Sequence, residues 1–61
     1  MPKAKKYVDL GNDYLFNLRM YKEAEESYEK AIKIDPLNFE ANFNLGIARH
    51  CLMWQMPKEN Q

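Results

Sequence analysis

The sequence predicts an all-α fold of three antiparallel helices, and three observations carry that expectation. Apolar residues recur at spacings of three and four in three segments, the mark of a buried helix face, and no strand pattern appears. The dipeptide Asp35-Pro36 breaks the chain between the second segment and the third. Finally, Leu10-Gly11 returns as Leu45-Gly46, 35 residues later, so one helical unit recurs.

Each element follows from local chemistry. Pro2 suits a first helical turn, where its missing N–H is no loss. From about Lys3, Tyr7, Leu10, Gly11, Tyr14, Leu15 and Leu18 then mark one face of a first helix. Asn17-Leu18-Arg19-Met20 supplies the connection, without the Gly or Pro that usually punctuates one. Tyr21, Ala24, Tyr28, Ala31 and Ile32 form a second stripe running to about Ile34. Its other face is charged, with Lys22, Glu23, Glu25, Glu26, Glu29, Lys30 and Lys33, and reads as solvated. Glu26 and Lys30 stand in the order that favours an ion pair one turn apart. Pro36 ends this helix, because a proline disfavours helical geometry in the residue before it. Asn38 is placed to cap a third helix, which runs from Phe39 to about Met53 or Trp54. Ile47, Ala48, Cys51, Leu52, Met53 and Trp54 make its last two turns apolar on more than one side, so it expects more cover than two helices supply.

Composition narrows the function. With 61 residues the chain is one domain, 1–61, whose core is thin. Apolar residues at 46% and charged ones at 30% are globular proportions, not disordered ones. Nine basic residues offset nine acidic ones; no field exists to attract nucleic acid or an acidic membrane, and none opposes self-association. The cluster Lys3, Lys5 and Lys6 is a solvated helix start. One cysteine, Cys51, makes no internal disulfide, and with His50 it falls short of a zinc site. No metal or cofactor is expected, and the compartment is a reducing, cytoplasmic one. No run has the length of a membrane span, and no apolar stretch follows the lysines as in a signal peptide. His50 and Cys51, adjacent on a helix, point ~100° apart. That geometry makes no nucleophile–base pair, and the chain is not expected to be an enzyme.

Residues 4–38 resemble a tetratricopeptide (TPR) repeat. The slots of its pattern are filled by Tyr7, Leu10, Gly11, Tyr14, Ala24, Tyr28, Ala31 and Pro36, and the run Tyr28 to Pro36 resembles the close of a consensus repeat. Gly11, Ala24 and Ala31 remove side chains where two helices must touch, and the tyrosines fill the space around them. The first helix or its loop carries one residue more than the usual period of about 34. Residues 39–61 read as a partial second repeat: Leu45 and Gly46 fit, whereas Asn42 and Arg49 stand in aromatic slots, and Pro57 resembles the start of a further helix. The resemblance thus implies a fragment of a right-handed helix-turn-helix solenoid, helix A, helix B and a second A.

It also implies a non-catalytic module that binds a protein or peptide on its concave A-helix face. The positions facing it are Lys5, Val8, Asn12, Leu15 and Phe16, then Glu40, Phe43, Asn44, Ile47, His50 and Cys51; some of these can equally pack the first helix on the third. Asn12 and Asn44 match two asparagines with which chaperone-binding relatives grip carboxylates, but Val8 stands where that clamp needs a lysine. The third helix, without a second B helix, would leave some of Ala48, Leu52, Met53, Trp54 and Met56 uncovered, favouring a homo-oligomer: face to face, helix-swapped or stacked. The alternatives are a truncated or engineered structural unit that oligomerises without a ligand, and an RNA-binding helical repeat.

Overall fold

A computed structural model describes residues 2–55. Helix α1 spans Pro2–Asn12 and runs directly into a π-helical segment, Asp13–Leu18. Helices α2, Tyr21–Ile34, and α3, Phe39–Gln55, follow. No strand occurs among the described residues. Helix α2 packs against both neighbours, while α1 and α3 barely touch. Met56, Pro57 and the residues after them lie outside the described residues.

The extra residue of the first repeat is absorbed by the π-helical segment. Widening one turn takes up an inserted residue without breaking the helix. The Arg19 and Met20 N–H groups both close on the Tyr14 carbonyl, the latter at 2.8 Å. The reversal then falls on Arg19, whose φ of 55° is left-handed. A β-carbon is disfavoured there, which is why such positions usually hold Gly. At the other end, Asp35 takes an extended conformation, as its Pro36 neighbour requires. The Asn38 Oδ1 accepts the Ala41 N–H at 2.8 Å and caps α3 as expected. Asn42, standing in an aromatic slot of the second repeat, donates through Nδ2 to the carbonyls of Pro36 and Asn38 and holds the loop shut.

The core is built largely from small residues. Helix α2 buries Ala24, Ser27, Tyr28 and Ala31, and α3 buries Ala41, Asn44, Leu45 and Ala48 at the same spacing. From the first helix come Ala4, Val8, Gly11 and Leu15. This stripe is rotated from the expected one. Leu10 and Leu18 lie 40% and 52% exposed, whereas Val8, expected on the partner face, is core, as is Leu15, expected on both faces. A helix flanked by α2 on one side and reached by α3 on another turns the residues between those two contacts inward.

Among the described residues, Tyr28 is the one large side chain that is fully buried. An ideal β-carbon on Gly11 would stand 2.6 Å from its Cε1, 2.8 Å from its Cδ1 and 2.9 Å from its Cζ. Only a glycine admits that ring. At Gly46, a β-carbon would meet nothing within 4 Å. The two glycines therefore occupy one sequence slot under opposite physical conditions.

Ion pairs are peripheral except at Arg49, which stands in the other substituted aromatic slot. Its Nε and Nη2 reach Glu25 and Glu29 of α2, each at 3.1 Å, tying α3 to the charged face. The expected Glu26–Lys30 pair does not form among the described residues. The Lys30 ammonium lies 5.7 Å from the centre of the Tyr7 ring instead, a cation–π contact that fastens α2 to α1.

Replacing Gly11 by Ala should lower stability by about 1–2 kcal/mol, overpacking exceeding the ~1 kcal/mol gain in helix propensity. Gly46→Ala, with space around it, should raise stability by about 1 kcal/mol. Circular-dichroism melts at low chain concentration would show the opposite signs. Arg19→Gly should also raise the melting point, by the equivalent of roughly 0.5–1 kcal/mol, since it relieves the left-handed residue.

Candidate functional site

The three helices meet in a polar seam centred on Asn12, at the end of α1. Its Oδ1 accepts two hydrogen bonds, from the Tyr28 hydroxyl of α2 at 2.5 Å and from the Asn44 Nδ2 of α3 at 2.9 Å. Its Nδ2 donates to the Glu40 Oε2 of α3 at 2.9 Å. One side chain thus bonds to both other helices. Among the described residues, no buried side-chain polar atom lacks a partner, so this network is closed rather than waiting for a ligand.

Burial pushes the Tyr28 hydroxyl pKa up to about 12; the Asn44 amide works against that rise, and the Glu40 charge adds to it. Lys5, fully exposed, pairs with Asp9 at 2.9 Å, and its pKa is raised by that hydrogen bond and charge, with a smaller contribution from Glu40. Lys5, Asn12 and Glu40 therefore share one side of the molecule, between α1 and α3.

Apolar side chains stand beside this seam. Phe16 follows Asn12 by one turn and is 57% exposed, and Phe43 precedes Asn44 and is 59% exposed. Ile47 is half-buried against the core. Of the other residues expected on this face, Val8, Leu15 and Asn44 are buried, and they shape the floor rather than the lining. The amides of Asn12 and Asn44 are brought together, but they bond to each other and to Glu40. Where a carboxylate grip would need a lysine, Val8 is buried in the core. The Asn12 hub could have been anticipated from its placement 32 residues before Asn44; its link to the Tyr28 hydroxyl had no signal in helical spacing.

The residues expected to be uncovered on α3 divide. Ala48 is fully buried against α2, as correction to that expectation, and Leu52 is half-buried. Met53 and Trp54 are 65% and 67% exposed, and Met56 is outside the described residues. The Trp54 Nε1–H donates to the His50 Nε2 at 2.5 Å. That nitrogen is engaged by the indole, and Cys51 is half-buried on another side of the helix. No group of three or more His, Cys, Asp or Glu among the described residues could hold a metal ion. No helix among them is long and apolar enough to cross a membrane.

The buried Tyr28 makes a prediction about pH. A hydroxyl whose pKa is raised in the fold, above an unfolded value near 10, resists ionisation while folded. Its contribution to stability is complete below about pH 10 and is lost as pH rises through about 12. In urea titrations the native chain should therefore lose more stability than Tyr28→Phe across that window, and the two should differ by a constant amount below it.

Comparison with known proteins bears on the whole arrangement. A family model described as TPR repeat matches residues 15–51, more than half of the chain. No curated protein and no solved structure matches. The matched stretch holds α2, the Asp35-Pro36 turn, the Asn38 cap and the Leu45-Gly46 pair. The chain belongs to the TPR repeat family.

Proposed function

We propose that this chain is a non-catalytic protein-interaction module which holds a peptide or protein segment between α1 and α3. TPR repeats are in general protein-binding units, and the reading for this chain rests on one further observation. Phe16 and Phe43, each more than half exposed, flank a seam whose polar groups are already satisfied internally. Such a surface offers aromatic anchors on a rigid floor, the composition of an interface core. Lys5 and Glu40 stand at its edge as opposite charges to orient a polar backbone or side chain. The amides of Asn12 and Asn44 act as supports for that floor. A reducing, cytoplasmic setting belongs to this reading and keeps the Cys51 thiol free.

A second use of the same module is self-association through α3, favoured by the exposure of Met53 and Trp54. Homo-oligomers and peptide complexes would then draw on neighbouring parts of one helix.

A library of displayed peptides selected on the full chain tests the groove. Selected peptides should lose at least about tenfold in affinity, ~1.4 kcal/mol, for a chain carrying Phe16→Ser and Phe43→Ser. Helicity should be nearly unchanged, because both rings are mostly outside the core. Peptides that bind this double variant as well as the native chain would place the site elsewhere.

A further inference from the structure

Four residues of α3 point away from the core on one stripe, Phe39, Phe43, His50 and Trp54, and Ile47, half-buried against the core, lies at its edge. At 3.6 residues per turn they fall within roughly 80° of the helix circumference and extend over ~22 Å. All three of its aromatic side chains, Phe39, Phe43 and Trp54, are held in place. Phe39 and Phe43 stack with ring centres 5.9 Å apart and planes 13° from parallel, and Trp54 is bonded to His50. Ordering before contact lowers the entropy lost on binding.

We infer that this stripe is the interface of a closed, two-fold dimer in which α3 packs antiparallel on α3 of a second copy. It deepens the interaction-module reading by naming one partner, and it rests on that reading. The stripe is nearly self-complementary when its direction is reversed. Set antiparallel about positions 46 and 47, Phe39 meets the other copy's Trp54 and Phe43 meets its His50. Beside the axis Gly46 lets the two helices approach, with nothing within 4 Å of where a β-carbon would stand. The aromatic pairs repeat reciprocally at both ends, as two-fold symmetry requires.

Charge and area agree with a second copy as the occupant. No carboxylate, lysine or arginine falls within the stripe, and Glu40 faces positions 53 and 54 of the other copy rather than its own mate. The net charge of zero leaves no repulsion between copies. Phe39, Phe43 and Trp54 are 79%, 59% and 67% exposed. With the smaller residues between them they offer on the order of 500–600 Å² per copy, at 150–250 Å² for a whole aromatic side chain. Complete cover in a pair of copies would bury at most about 1,000–1,200 Å², at the ~1,000 Å² where specific contacts begin. The dimer should accordingly be reversible.

Sedimentation of the full chain over a dilution series should show a mass rising from one chain to two and stopping there. Phe39→Glu alone and Trp54→Lys alone should each stay monomeric with native helicity, since both positions are largely exposed. Mixed in equal amounts, these two variants should recover a dimer, because the antiparallel register sets position 39 of one against position 54 of the other. Three results would each overturn the inference: a native monomer at about 1 mM, where even a millimolar contact is visible; a mass that keeps growing, as in open stacking; or a mixture that remains monomeric. Peptide binding sensitive to Phe16→Ser alone reads the groove separately. A native monomer that still binds such peptides refutes the dimer and leaves the interaction module standing.

Discussion

The structure depends on the seating of one ring. Tyr28 enters the space that Gly11 leaves open, and its hydroxyl reaches across to Asn12. Burying a tyrosine contributes the largest single apolar area available to so small a core, and its polar tip must then find a partner. Asn12 supplies that partner and, through the same oxygen, receives the Asn44 amide from the third helix. The alanines around Tyr28 follow from this arrangement: with one large side chain at the centre, the flanking positions must be small for the helices to close around it. Ala24, Ala31, Ala41 and Ala48 are all completely buried.

The second A helix departs from the first in ways that the packing explains. Tyr7 and Tyr14 of the first repeat correspond to Asn42 and Arg49 of the second, and neither substitute is idle. Asn42 closes the turn before α3, and Arg49 joins α3 to two glutamates of α2. Together they give that flank of α3 a polar, water-tolerant surface. The apolar surface of α3 lies around the stripe from Phe39 to Trp54 instead. A helix whose apolar residues spread nearly all round thus divides its exterior into a solvated flank and an adhesive one.

The π-helical segment has a consequence for the same surface. It accommodates the inserted residue within Asp13–Leu18 and leaves Phe16, Leu18 and Met20 exposed at the end of the molecule where α3 finishes. A helix wound wide at this point carries apolar side chains outward that a regular turn would place differently. Local backbone geometry therefore contributes to the chemistry offered to a partner.

By itself the sequence determined the three helices, the break at Asp35-Pro36, the Asn38 cap and the family, because each is written in local spacing or in a residue's own conformational preference. The bounds of α2, Tyr21–Ile34, agree with the apolar stripe and the proline that follows it. Only tertiary structure decided which way α1 faces. Val8 and Leu15 could line a groove or fill a core with the same helical periodicity, and contact with α2 and α3 turned them inward while Leu10 and Leu18 stayed at the surface. Of the polar seam, the resemblance implied only the pairing of Asn12 with Asn44; Tyr28 and Glu40 are distant in the chain and join them only when three helices are assembled. The two glycines make the same point. Both sit in one slot of a repeat, yet Gly11 is filled by a ring and Gly46 is open, because the slot fixes a residue and its neighbours in space fix what that residue does.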